Sequence, residues 1–208
     1  PDLGTAIMVF LIFLVFITAV EINGAFLTKL FGAGTFLIPS LWFFLRDYQK
    51  LRVMTLFNPE LDPLGAGYHS IQSKIAIGSG GFLGKGLFMG TQSRLNFLPE
   101  KHTDFIFSVF AEETGFIGVV ILLSIYLFII LKGLNIAFHA RDRFGLFLAL
   151  GIVSSISFYA LFNLGMVVGL FPITGLPLPL ISYGGSSLVT NFFAFGLLLN
   201  VGMRRTVL

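Results

Sequence analysis

Apolar residues run along this chain in five long stretches, at 3–20, 26–45, 114–131, 144–170 and 188–203. Each approaches the roughly 20 residues a helix needs to cross a bilayer. Lipid satisfies no backbone polar group, so spanning segments must be helices or closed barrels. A barrel would alternate apolar and polar positions in segments of about 10 residues. These runs are continuous, so they predict an all-α, polytopic transmembrane bundle. The stretch 144–170 is the longest and predicts a tilted helix, or one broken near Asn163 and Gly165.

Between the second and third stretches lies a long polar-apolar segment, 46–113, with no low-complexity composition. Asn58-Pro59 and Asp62-Pro63 predict turns. Residues 68–77 predict a short helix, with Gly78-Ser-Gly-Gly as its end. Residues 105–113 would lie at the surface or begin the third span. The segment FPITGLPLPLISYGG at 171–185 holds Pro172, Pro177 and Pro179 with three glycines, and cannot be regular helix. It predicts a non-helical plug beneath the long loop, since irregular backbone at membrane depth needs protein or a water-filled cavity around it.

Basic residues in short loops set orientation. Lys29, then Lys132, Arg141 and Arg143, then Arg204 and Arg205 all fall on one side of an alternating five-span path. That side is predicted to be cytoplasmic, leaving loop 46–113 and the segment 171–187 extracytoplasmic. The long loop also carries Arg46, Lys50, Arg52, Lys74, Lys85, Arg94 and Lys101. Loops beyond about 60 residues translocate largely regardless of charge, so these cations do not break the rule. They need another reason to be there.

Composition agrees with lipid as the main solvent. Of 208 residues 56% are hydrophobic and only 11% charged, against about 25% charged in soluble domains. A net charge of +3 is too small to imply nucleic acid, and the absence of cysteine excludes disulfides and thiolate metal sites. The opening PDLGT has no basic n-region and is not a signal peptide. The chain reads as the C-terminal part of a longer protein.

Candidate chemistry gathers in NFLPEKHTDFIFSVFAEET at 96–114, where Glu100, Lys101, His102, Asp104, Glu112 and Glu113 surround an apolar run. Asp104 sits where polar sequence meets apolar. A carboxylate partly desolvated by Phe105, Ile106 and Phe107 would have the raised pKa a general base needs. The competing role is helix capping, by Thr103 or Asp104, for a helix beginning at Phe105. Glu112 and Glu113 head the third span, where the helix dipole favours anions. Asp2 either faces a cation or caps the first span. The run 78–86 is too irregular for a Walker or dinucleotide loop. It reads as a flexible turn or as a backbone nest for a diphosphate. Lys74, Lys85, Arg94 and Lys101 either neutralise a polyanionic headgroup or simply meet solvent and lipid headgroups. His69, His102 and His139 lack metal-ligand spacing, although His102, Asp104 and Glu100 form a weak candidate set for a divalent cation.

Four ordered motifs, PDLGT at 1–5, DPLGAGYHSIQSKIAIGSGG at 62–81, GTQSRLNFLPEKHTDFIFSVFAEETGF at 90–116 and NLGMVVGLFPITGLPLPLISYGGSS at 163–187, closely resemble the RodA/FtsW/SpoVE (SEDS) family. The run GTQS followed by FLPEKHTDFIF is nearer its RodA branch. The resemblance covers the chain as the C-terminal five of about ten spans. It implies a peptidoglycan glycosyltransferase of the bacterial inner membrane. Its substrate would be lipid II, a disaccharide-pentapeptide on undecaprenyl diphosphate, and its partner a class B penicillin-binding protein within the elongation machinery. The family's essential carboxylate falls on Asp104. Lys74, Lys85, Arg94 and Lys101 become candidate diphosphate-binding cations, with a divalent cation, Mg or Mn, as a candidate aid. Gln72, Ser73, Glu100, His102 and Thr103 become candidate hydrogen-bonding or orienting groups.

Two other functions compete. A lipid II flippase needs a polar path through the membrane, yet the predicted spans carry almost no ionisable residue beyond Lys29. A non-catalytic scaffold would tolerate loss of Asp104.

Overall fold

The computed structural model describes residues 3–20, 28, 29, 32, 35, 42–63, 65–94 and 102–204. The predicted span 26–45, Asp2, Glu100 and Lys101 therefore fall wholly or mainly outside the described residues. Among the described residues there is helix and no strand. The elements are α1 (Leu3–Ala19), α2 (Asp47–Phe57), a 3-10 turn (Pro59–Leu61), α3 (Ala66–Gly80), α4 (Thr91–Arg94), α5 (Ile106–Phe138), α6 (Arg143–Val168) and α7 (Gly185–Met203). Of these, α5, α6 and α7 are long and apolar enough to cross a membrane, and α1 is a shorter apolar helix. Large apolar side chains such as Phe116, Ile121, Phe128 and Phe193 are exposed along them. That arrangement suits lipid and not water.

Two apolar clusters hold the bundle. One joins α3, α5, α6 and the segment after α6, through Ala76, Phe105, Phe107, Leu122, Tyr126, Met166 and Leu178. The other sits at the opposite end of α5, α6 and α7, around Ala137, Leu150, Val153, Leu198 and Val201. A fully buried hydroxyl relay pins the first cluster. Ser73 donates to the carbonyl of Val167 at 2.6 Å and lies 2.9 Å from Ser108 Oγ.

Of the two readings for this stretch, a tilted helix or one broken near Asn163 and Gly165, the break does not occur: helix α6 runs from Arg143 to Val168 uninterrupted. Asp142 caps its start by accepting from Gly145 N, and left-handed Gly169 ends it. Asn163 does not disturb the helix because its side chain bonds outward, to other segments. Gly165 instead makes room: a Cβ there would lie 2.3 Å from the Phe171 ring. Helix α3 also differs from expectation. It continues through Gly78, Ser79 and Gly80 and ends at Gly81, whose φ is 58°.

The departure with most consequence is in α5. At Gly115 the backbone takes φ 65° and ψ −162°, which kinks the helix. The kink leaves main-chain groups without their helical partners, and the loop 81–86 docks onto them. Phe116 N donates to Gly81 O, Ile117 N to Phe82 O, Lys85 N to Glu112 O and Gly86 N to Glu113 O. The approach is close enough to require glycine on both sides. A Cβ on Gly84 would lie 2.1 Å from Glu113 O, and one on Gly115 would lie 2.2 Å from Gly84 N.

Residues 170–184 contain no helix, as the prolines predict. This strap packs against the turn 102–105 that precedes α5.

Candidate active site

Asp104 stands on a turn whose main chain is held from three directions. Tyr183 N donates to His102 O at 2.8 Å. Ser182 Oγ donates to Thr103 O at 2.7 Å while accepting from Leu178 N. Asn163 Nδ2, fully buried in α6, donates to Asp104 O at 2.9 Å and to Leu176 O at 2.7 Å. Three consecutive carbonyls are thus tied to the strap or to the helix that precedes it. Such a mount fixes a reactive side chain without using the side chain itself.

The capping role expected for Thr103 or Asp104 is not what the structure has. Helix α5 begins one residue later, at Ile106, with Phe105 at the cap position and no side-chain cap bond. Phe105 is buried and meets the half-buried His69 ring edge-on at 6.2 Å. The Asp104 carboxylate is half-buried over Gly175, with Oδ2 lying 3.5 Å from where a Cβ on that glycine would be. Gly175 lines a cavity of about 360 Å³ between α1, α6, α7 and the strap. A second cleft of about 310 Å³ is lined by His102, Ile106, Tyr183 and Leu188.

The other candidate residues divide. Thr103 is half-buried and His102 exposed, both on the Asp104 turn. Lys74 is exposed, and its ammonium and Cε occupy the space that a side chain on Gly169 would fill, 2.2–2.3 Å from its Cβ position. Its charge therefore faces the C-terminus of α6, which favours a cation. Gln72 is half-buried on α3. Ser73 is not at a surface: it is completely buried in the helix-packing relay. Arg94 ends α4. Among the described residues no three His, Cys, Asp or Glu come close enough to hold a metal ion, and Glu100, the third member of the candidate set, lies outside them. The residues described thus do not form a site that fits a divalent cation.

Lys85 is not a free cation. Its Nζ donates to Glu112 Oε1 at 2.7 Å and to Thr91 Oγ1 at 2.8 Å. Glu112 does not serve merely as a dipole-favoured anion at a helix start; it is fully buried. Its Oε1 also receives Thr91 N at 2.8 Å, Thr91 Oγ1 at 3.0 Å and Gln92 N at 3.2 Å. The backbone nest expected in the run 78–86 is closed for the same reason. The amides of Gly84, Lys85 and Gly86 are spent on Gly80, Glu112 and Glu113 carbonyls.

Sequence reasoning missed three contributors. Asn163 was visible only as an amide in an apolar span, and Ser182 had no distinguishing pattern. Arg52, one of the seven cations of the segment 46–113, reaches the strap by donating through Nη1 to Ile173 O at 3.2 Å.

The fold and this mount define a polytopic helical membrane protein with a carboxylate held at the edge of a cavity between its helices. The chain matches the sequence profile of the FtsW/RodA/SpoVE family, described as cell cycle proteins, over residues 1–207. It belongs to that family. It is 50% identical to the peptidoglycan glycosyltransferase MrdB of Escherichia coli (strain K12), over 100% of this chain and 56% of that protein. It is 49% identical to the peptidoglycan glycosyltransferase RodA of Treponema pallidum (strain Nichols), over 77% of this chain and 37% of that one. Among solved structures, a chain from a peptidoglycan synthase complex that coordinates polymerization and crosslinking superimposes with a TM-score of 0.75. Its identity is 39%, covering 100% of this chain and 57% of that one. The chain spans about half the length of the E. coli relative it matches.

Proposed function

We propose that this chain is the C-terminal part of a peptidoglycan glycosyltransferase that polymerises lipid II during cell elongation, with Asp104 as general base. The observation that carries the reading is the mount of Asp104, three pinned carbonyls that set a carboxylate over a cavity. A hydroxyl of one lipid-linked disaccharide attacks the anomeric carbon of the glycan on another carrier. Asp104 takes the hydroxyl proton as the new C–O bond forms and the bond to diphosphate breaks. The leaving diphosphate needs charge stabilisation more than protonation. Lys74, which faces the end of α6, and Arg52, which reaches the strap from α2, suit that task better than Lys85, whose charge is matched by Glu112.

The basic-residue pattern supports an extracytoplasmic Asp104 and a cytoplasmic C-terminus in the bacterial inner membrane. The expected partner is a class B penicillin-binding transpeptidase, which would crosslink the strands made here. Replacing Asp104 by Asn in the complete protein, with its partner and purified lipid II, should cut polymerisation by about 10²–10⁴-fold while leaving lipid II binding intact. Near-normal polymerisation by that variant would refute the base.

A further inference from the structure

At the end of the bundle opposite the Asp104 turn, a cavity of about 420 Å³ lies between the start of α6 and the end of α7. Two cations from separate elements line it, Arg141 from the connection before α6 and Arg204 from the cap position of α7. Both are exposed, and among the described residues neither guanidinium has an ion pair or a hydrogen bond. Among the described residues Asp142 is the one acid in the lining, and its Oδ1 already accepts from Gly145 N at 3.0 Å to cap α6. The helix start therefore has its partner, and two arginines face a single carboxylate. Behind the charges the walls turn apolar, with Phe144 and Leu148 on α6 and Leu197 and Val201 on α7. Packing fixes those walls. Val201 is buried in the cluster that joins α5, α6 and α7, and a Cβ on Gly145 would lie 3.3 Å from it.

We propose that this cleft binds an anionic phospholipid, with its phosphodiester between Arg141 and Arg204 and its first methylenes against the apolar walls. The inference rests on the membrane-spanning fold and not on the glycosyltransferase reading. The basic-residue pattern assigns this end to the cytoplasmic leaflet, where basic pockets between helices take anionic headgroups. A guanidinium suits a phosphodiester because its planar fork offers parallel donors to two phosphate oxygens. The exposed Asn200 amide lines the same cleft and adds a donor for the ester or glycerol oxygens. A free phosphate would use the arginines and leave the apolar walls in water. A zwitterionic lipid would cover the walls but bring a cation of its own toward the two arginines. Beside the cleft, Phe144 is 75% exposed and Met203 77% exposed, which gives the acyl chains an apolar path out into the bilayer.

The test uses the complete protein in a nonionic detergent, with bound lipid counted by native mass spectrometry. The probes are a phosphatidylglycerol and a phosphatidylcholine with the same chains, and glycerol 3-phosphate, which keeps the anion and has no chains. The parent should prefer phosphatidylglycerol over phosphatidylcholine by about tenfold or more, and glycerol 3-phosphate in excess should not displace the bound lipid. Arg141→Gln and Arg204→Gln should each cut that preference about fivefold. Arg143→Gln is the control, an exposed cation at the same end that does not line the cleft, and should change the preference by less than about twofold. Equal loss in all three variants would reveal diffuse attraction to a basic surface and overturn the site. So would an unchanged preference in Arg141→Gln and Arg204→Gln, or no preference in the parent. Displacement by glycerol 3-phosphate would overturn the lipid assignment in favour of a free anion. Should a glutamine variant fail to fold, the parent's preference between two lipids of equal chains and its resistance to glycerol 3-phosphate still decide.

Discussion

Asn163 and Asp104 are 59 residues apart in sequence, yet the buried amide of one donates to the main-chain carbonyl of the other at 2.9 Å. The same Nδ2 donates to Leu176 O at 2.7 Å, so one side chain joins α6, the Asp104 turn and the strap. Replacing Asn163 by Leu keeps the volume and removes both donors. The buried Leu176 carbonyl would lose a partner at about 1–3 kcal/mol, and the part-buried Asp104 carbonyl would lose one at less. The expected result is a lower thermal midpoint in detergent together with slower polymerisation, because the Asp104 turn loses one of its three ties. A variant as stable and as active as the parent would show that Ser182 and Tyr183 suffice.

The Lys85–Glu112 pair makes a different prediction. Glu112 is fully buried while the Lys85 side chain is 27% exposed, so removing Lys85 strands a buried carboxylate, at up to about 3–5 kcal/mol, whereas removing the Glu112 charge leaves an ammonium that water can reach. Lys85→Met should therefore destabilise the protein more than Glu112→Gln. The double variant should lose less than the sum, with a coupling of about 1–3 kcal/mol in a double-mutant cycle. Additive losses would mean that the 2.7 Å contact does not anchor the loop.

How far the sequence could be read follows from what each residue's role depends on. The strap was legible because Pro172, Pro177 and Pro179 lack amide donors wherever they sit. Asp104 stood out at the polar–apolar junction, but the residues alone left helix capping as the competing role, and it was the family resemblance that singled the carboxylate out; the structure puts Phe105 at the cap position instead. The role of Glu112 was not legible. Whether a carboxylate near a helix start faces solvent or the interior depends here on the Gly115 kink and the loop that docks beside it, and no hydrophobic period encodes a positive φ. Lys85 was misread for the same reason, since its partner lies 27 residues away. Ser73 read as polar and available because composition gives no hint that Ser108 and Val167 would enclose it.

The glycines of the 78–86 run, and Gly115 of α5 that meets them, separate by position. Gly84→Ala and Gly115→Ala would each drive a methyl group into backbone, at 2.1 and 2.2 Å, from residues with positive φ. Each should cost about 1–3 kcal/mol or more and open the loop to limited proteolysis. Gly78 lies within α3 with nothing inside 4 Å of its Cβ position. Gly78→Ala should instead stabilise the helix by about 0.5–1 kcal/mol. Equal protease sensitivity in all three variants would mean that loop 81–86 does not depend on the close approach.

His69 gives the protein a pH-dependent stability. Burial lowers its pKa below the ordinary value of 6.5, against a smaller opposing pull from Asp62. Its Nδ1 is buried without a hydrogen-bond partner, and its ring meets Tyr68 and Phe105 edge-on. A histidine with a depressed pKa binds fewer protons in the folded state than in the unfolded state, so stability rises with pH between the two values. The contribution is present above pH 6.5 and is lost as pH falls toward the lowered folded value. The thermal midpoint in detergent should therefore drop on acidification from pH 7 to pH 5 by more than it does in His69→Gln, which cannot titrate. Because the ring packs against Phe105, next to Asp104, acidification should also loosen the Asp104 turn, read as faster amide exchange at residues 102–106. Identical pH profiles for the parent and His69→Gln would show that protonation of this ring is not what the fold resists.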